Sequence, residues 1–391
     1  MIVTILKKLI NGLLTEEMTQ TPAIVIDSGS GSTKAGFAGA EGPRSIFPSI
    51  IGSPKSTQQM VGGQNKDFFV GFEAVAKSDL LNLRQPIENG LVTNWEDMER
   101  LWQHTFYNEL LVVPEDHAIV LTEKPMCPRM NREKMIQIMF ETFHVKGFYS
   151  GVQAVLALFS LGKTTGVVWD AGEGLSFIVP IYEGYGLPHA IMQSGISGLD
   201  LTKLLINMLV ESGFDKDTLK IPEVRAMKEQ ICTVALDYQA EIQKAEAVQS
   251  ARTNFQLPDG VEVSYGTEAF RCPEALFTPS IAGSQSDGIQ QLIHTSLEKC
   301  DIDVRKELYS TIMLSGGTSM FHDLPERMEK EIVALATPSM KVHVIATPER
   351  KNAVWLGGSV FGSLEAFPQM MIDHSEYQEE GVQIVHRKCY G

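Results

Sequence analysis

One pattern in this chain is written twice. Residues Ile24–Gly39 read IVIDSGSGSTKAGFAG and residues Val167–Gly184 read VVWDAGEGLSFIVPIYEG. Each is an apolar run of strand length, an aspartate, glycines at the second and fourth positions after it, and a second strand. A hairpin with such a tip exposes backbone N–H groups with no side chain over them, and can cradle phosphate oxygens. An aspartate beside phosphate repels it unless a cation lies between. Asp27 and Asp170 therefore point to Mg²⁺, which is typically held by one or two carboxylates plus substrate phosphates. Ser30 adds a hydroxyl donor and Lys34 a positive charge.

One Asp-Gly turn alone is most often an ordinary hairpin. Two of them, with a third glycine turn at LSGGTSMF (Leu314–Phe321), make that reading hard to sustain. In the third turn Ser315 to Thr318 are expected to leave a strand and enter a helix, a place for a nucleotide's phosphate or sugar edge. Rival phosphate motifs fail. Gly162-Lys163-Thr164 lacks the Walker glycine, since Ala157 stands there, and Lys34 occupies the third position of a GxGxxG fingerprint.

Elsewhere strand-length runs (TGVVWD, SFIVPIYEG, TIMLSGG, KVHVIA) alternate with helical spacing (WEDMERLWQHTFYNEL, NREKMIQIMFETF, LTKLLINMLVESG, DVRKELYSTI). That alternation predicts an α/β protein, and the repeated hairpin predicts two related halves with a cleft between them. At 391 residues the chain can bury more than one core. A net charge of −15 without a basic stripe argues against nucleic acid as a partner. The five scattered cysteines fit neither a disulfide framework nor a zinc site. In MIVTILKKLINGLLTEEMTQ, Ile2, Ile5, Leu6, Leu9 and Leu13 share one helical face, but the run is too short to span a bilayer. A partner-binding or membrane-surface helix and a frayed extension both remain open readings, and Met18 is an alternative start.

The segments GSGSTKAGFAG, NREKMIQIMFETF, PIYEGYGLPHAI, FRCPEALF, LSGGTSMF and IVHRKC, in this order, resemble the actin family from about Pro22 to Tyr390. The resemblance implies the fold that actin shares with heat-shock chaperone ATPases and hexokinase-type sugar kinases. In it, two duplicated ribonuclease-H-like domains surround a nucleotide cleft that takes ATP or ADP with Mg²⁺. It further implies Asp27 and Asp170 in the shell of the hydrated metal, Gly29, Ser30, Gly31 and Lys34 on the phosphates, and Gly172, Glu173 and Gly174 as a second phosphate loop. Lys228, Glu229, Gly316, Gly317, Thr318 and Lys351 fall beside the nucleoside, and Gln153 orients the attacking water. The implied layout is an extension at 1–17, subdomain 1 at 18–48, 86–160 and 353–391, subdomain 2 at 49–85, subdomain 3 at 161–196 and 285–352, and subdomain 4 at 197–284.

The sequence also departs from the family. Phe177 replaces a histidine near the attacking water, Glu173 an aspartate and Ala171 a serine, so hydrolysis is expected to be slower while binding is kept. Asn89 replaces a modified histidine. Gly63 replaces a methionine in the inter-subunit loop around Met60, whose Gly62-Gly63 pair suggests a mobile tip. Gly283, Ser284 and Gln285 replace an apolar plug, a loss of about 2–4 kcal/mol per contact. Gln193, Gly195 and Leu199 replace charged residues, and Pro368 is expected to break a helix near the partner-binding groove.

Two functions are expected on this basis. One is a self-assembling, cytoplasmic cytoskeletal ATPase open to actin-binding proteins. The other is a non-polymerising subunit of a larger assembly of dynein/dynactin, axonemal or nuclear chromatin-remodelling type. A small-molecule kinase is disfavoured, because fold alone does not give function.

Overall fold

The computed structural model describes residues 21–55, 67–247 and 252–389. The N-terminal helix candidate, the loop around Met60 and Tyr390 lie outside the described residues. The chain divides into two units. Among the described residues, the first holds those through Thr164, with Glu183–Gly186 and Asn352 onward; the second holds Thr165–Tyr182 and those from Leu187 to Lys351.

The first unit is built on strands β1 (Ile24–Ser28), β2 (Ser32–Phe37), β3 (Ser45–Pro48), β4 (Ala118–Glu123) and β5 (Gly147–Val152), in the spatial order β3-β2-β1-β4-β5. The first three run antiparallel as a meander, and β4 and β5 join parallel to β1. The first three residues of β1, Ile24, Val25 and Ile26, are apolar and fully buried because both faces of the strand are covered there. The Ala353–Gly362 helix is part of that cover: Trp355 Nε1 donates to the Val25 carbonyl at 3.0 Å. Gly357 lets this helix lie against the Gln153–Phe159 helix, for a Cβ there would overlap the Leu156 carbonyl. A smaller sheet, Ile51–Pro54 with Phe69–Val70 and Leu81–Arg84, is fastened by Arg84, which donates twice to the buried Asp97 carboxylate (2.8 and 3.0 Å).

The second unit repeats the first. Its strands β6 (Gly166–Ala171), β7 (Ser176–Tyr182), β8 (Met192–Gln193), β9 (Ile312–Ser315) and β10 (Val344–Ile345) lie in the order β8-β7-β6-β9-β10. Here too the first three are antiparallel, and β9 and β10 continue parallel to β6. Over these five strands, order and direction match those of the first unit, as expected for one ribonuclease-H-like sheet used twice; the first sheet has in addition Ile372–Asp373, antiparallel to β5. Trp169, Ile178 and Leu314 anchor its core with Leu205 of the Gly198–Glu211 helix and Ile293 of the Ile289–Glu298 helix.

Two expectations need correction. Pro368 breaks no helix: the Ala353–Gly362 helix has already ended, and Pro368 sits in the first turn of a new one, Phe367–Met370, where its missing N–H is unneeded. Ser315–Thr318 leave strand β9 as expected, but they enter a single 3₁₀ turn, Gly317–Met320, and the α-helix begins only at Leu324. Among the described residues no helix is long and apolar enough to cross a membrane.

Candidate functional site

In the first unit, Asp27 stands near the end of β1, where the apolar run gives way to the glycine tip. Its carboxylate is almost fully buried and is held from three sides. Lys34, opposite it on β2, donates from Nζ to Oδ2 at 3.1 Å. Thr122 of β4 donates from Oγ1 to Oδ1 at 2.7 Å. Gln153, the first residue of the helix that follows β5, donates from Nε2 to the same Oδ1 at 3.3 Å. The tip closes with Gly29 N–H donating to the Ser32 carbonyl at 3.0 Å, and the Ser30 hydroxyl accepts from Gly90 N at 3.4 Å. The Gly31 carbonyl accepts from Ser49 N at 3.3 Å.

The second unit carries the same device. Asp170 is level with Ser315 on β9, and Ser315 Oγ donates to Asp170 Oδ1 at 2.8 Å. The tip closes with Gly172 N–H donating to the Leu175 carbonyl at 2.8 Å, the counterpart of the Gly29 bond. Opposite Asp170 across the hairpin, where the first unit has Lys34, stands Phe177, which is buried. The loop carbonyls are tied to the first turn of the Gly198–Glu211 helix: Gly198 N donates to Gly172 (3.1 Å) and Leu199 N to Glu173 (2.9 Å). Thr318 Oγ1 also donates to the Gly172 carbonyl, at 2.9 Å.

Arg225 of the Ile221–Ile231 helix forms an ion pair with Glu173. Three residues on along this helix, Lys228 is buried and donates from Nζ to the Gly198 carbonyl (2.6 Å) and Thr202 Oγ1 (2.9 Å). Burial lowers its pKa from the ordinary lysine value, because the charged form loses hydration. Glu229 turns outward and meets Lys351 Nζ at 3.5 Å. At the third glycine turn, Gly316 has φ +86° and lies so near the Ala171 backbone that a side chain would collide with it. Gly317 is exposed beside it. Arg350 fixes this turn: its carbonyl accepts from Gly316 N (3.0 Å) and its guanidinium donates to the Ser319 carbonyl (3.1 and 3.2 Å).

In the first unit the structure thus gathers Asp27, Lys34, Gln153 and the Gly29–Gly31 tip. In the second it gathers Asp170, Phe177, Gly172–Gly174, Gly316–Thr318, Lys228, Glu229 and Lys351. Sequence reasoning missed Thr122, the part of Ser315 in holding Asp170, and Arg225. The one available signal was the spacing of Arg225 from Lys228, which puts both on one helical face.

A duplicated meander-plus-parallel sheet, with an aspartate and a glycine tip at the same place in each copy, defines the class of actin-fold nucleotide-binding proteins. The actin family model matches residues 18–223 and 216–390. The chain belongs to the actin family, whose members generally bind ATP or ADP with a divalent metal ion. The residues present fit that ligand. Asp27 and Asp170 supply oxygen donors suited to a hard cation, already oriented by hydroxyl groups, and Lys34 with the two glycine tips supplies donors for phosphate.

Proposed function

We propose that this protein binds ATP with Mg²⁺, hydrolyses it slowly and assembles with copies of itself into cytoplasmic, cytoskeletal filaments. The observation that carries nucleotide binding is the repeat of one device in both units: an aspartate at a strand end, braced by a hydroxyl from the neighbouring parallel strand, before a glycine tip closed by an equivalent hydrogen bond. On this reading Gly29, Ser30, Gly31, Gly172, Glu173 and Gly174 take the phosphates, with Lys34 as their counter-charge. Lys228, Glu229, Gly316, Gly317, Thr318 and Lys351 flank the nucleoside. Gln153, turned toward Asp27, orients the attacking water. Bound Mg²⁺ would neutralise charge on the phosphates. The four subdomains expected from the sequence belong to the same reading.

The slow rate follows from Phe177. A phenyl ring neither donates nor accepts a hydrogen bond, so an attacking water beside Asp170 would find one polar neighbour fewer there. Phosphoryl transfer depends chiefly on positioning and electrostatics, and it slows when such a group is lost.

A second reading, a subunit of a larger assembly in cytoplasm or nucleus, is favoured by the loop at Gly283–Ser286. Its Ser284 and Ser286 hydroxyls bond each other at 2.9 Å, and a Cβ at Gly195 would lie 2.5 Å from Ser286 Oγ. The loop is small, polar and folded onto its own unit, a poor apolar plug. Sedimentation after addition of Mg²⁺, salt and ATP, with analysis of bound nucleotide, tests both. Pelleted protein with bound nucleotide supports the filament, soluble protein with bound nucleotide supports the subunit, and stable protein without nucleotide overturns both.

A further inference from the structure

Asp27 and Asp170 are each braced by a hydroxyl that no reading of the glycine loops calls for. Thr122 lies just past the register pair Ile26–Leu121, which sets it beside Asp27, and Ser315 is directly level with Asp170. The two donors come from β4 and β9, which hold the same place in the two duplicated sheets. Each bonds the Oδ1 atom, at 2.7 and 2.8 Å. Both side chains are at least nine-tenths buried.

We propose that Thr122 and Ser315 are positioning residues, each fixing the aspartate of its own unit as an oxygen donor toward hydrated Mg²⁺, an inference that rests on the nucleotide-binding reading above. The chemistry suits the task. An aspartate at the end of a strand can turn about both side-chain torsions, and a carboxylate that is to meet a hydrated cation must keep one orientation. Asp27 already has a cation beside it in Lys34, and a further lysine or arginine at these places would orient the carboxylate but compete more strongly with the metal for its charge. A second carboxylate would repel it. A hydroxyl donates one hydrogen bond, adds no charge and leaves the anion intact for the metal's waters. At Asp27 the effect extends further, because Gln153 Nε2 uses the same Oδ1 that Thr122 holds. Thr122 therefore orients Gln153 through Asp27.

The test measures how much Mg²⁺ slows release of a fluorescent ATP analogue, as the ratio of release rates in EDTA and in MgCl₂. Wild type is compared with Thr122→Val, Ser315→Ala, the double variant and the hydroxyl-keeping exchanges Thr122→Ser and Ser315→Thr. Each hydroxyl removed is expected to lower the ratio about tenfold, the worth of one hydrogen bond to a charged group. The hydroxyl-keeping exchanges should restore it. A merely structural role would lower the melting temperature and speed release equally in both media, leaving the ratio unmoved. An unchanged ratio in the double variant overturns the proposal. If either removal does not fold, a hydroxyl-keeping exchange that folds yet loses the Mg²⁺ effect also overturns it. Wild type that binds the analogue with no Mg²⁺ effect removes the basis for both positioning roles, and wild type that binds none overturns the nucleotide reading itself.

Discussion

Asp27 and Lys34 face each other across the β1–β2 hairpin with Nζ 3.1 Å from Oδ2, and the same register in the second unit joins Asp170 to Phe177. One duplicated position is therefore cationic in one copy and apolar in the other. On the nucleotide-binding reading proposed above, the cationic copy has a counter-charge for phosphate and the apolar copy does not. Lys34→Met keeps most of the length and apolar stem while deleting the charge. ATP affinity should fall about ten- to a hundredfold, the usual worth of a charge-assisted contact. Titration with a fluorescent analogue checks this, and an affinity within twofold of wild type would remove Lys34 from the phosphate site.

The apolar copy gives the opposite experiment. Because residues paired across a hairpin project to the same face, Phe177→His would set an imidazole beside the Asp170 carboxylate without touching either glycine tip. Single-turnover phosphate release should quicken about ten- to a hundredfold, as expected for one recovered polar neighbour of the water. ATP affinity should stay nearly constant. Equal rates in the two proteins would mean that another group already supports the water, and the slow-hydrolysis reading would fall.

The local part of this site was legible in the sequence and the non-local part was not. Asp27, Gly29 and Gly31 lie within five residues, so an apolar run meeting Asp-x-Gly-x-Gly was enough to mark them. The duplication was legible for the same reason. Thr122 and Ser315 were hidden because each reaches its aspartate through strand register, which no spacing along the chain records. Lys228 shows a further limit. Its place on the Ile221–Ile231 helix could be carried over from the family, but the bonds of its buried ammonium to Gly198 and Thr202 depend on how another helix packs. The helix expected over WEDMERLWQHTFYNEL exists, yet its last turn, Thr105–Leu110, is widened to i→i+5 and ends at Leu111 with φ +57°. Periodicity does not register so small a change in pitch.

A third expectation concerns the small sheet. Burial alone would raise the pKa of Asp97, but hydrogen bonds from Arg84 and Arg100 outweigh it and hold the carboxyl below its ordinary 3.8. The stabilisation is therefore fully present above pH 3.8 and is lost as pH falls through the lowered native value. Asp97→Asn should cost about 1–3 kcal/mol at neutral pH, toward the lower end because Arg84 is partly solvated. The difference in melting temperature between wild type and variant should shrink in acid. A difference that stays constant down to about pH 2 would show that the ion pairs are not its source.

The last expectation concerns the C-terminal turn. The Cys389 thiol is buried and accepts from Ser150 N at 3.4 Å, while Arg132 holds the Cys389 carbonyl at 3.1 Å and pairs with Glu123. Burial drives the thiol pKa up to about 12, only partly offset by the Ser150 bond. Cys127 is driven to about 12 and Cys300 to about 11, again chiefly by burial. Only the thiolate attacks an alkylating reagent, so near pH 8 the native protein should label at Cys389 about a thousandfold more slowly than in urea. Arg132→Ala removes the bond to the Cys389 carbonyl and leaves Glu123 buried without its partner. The turn should loosen, and mass spectrometry after brief iodoacetamide treatment should then find Cys389 labelled well before the fully buried Cys272. If Cys389 labels in native wild type as fast as in urea, the turn is not docked against β5, and the raised pKa has no physical basis.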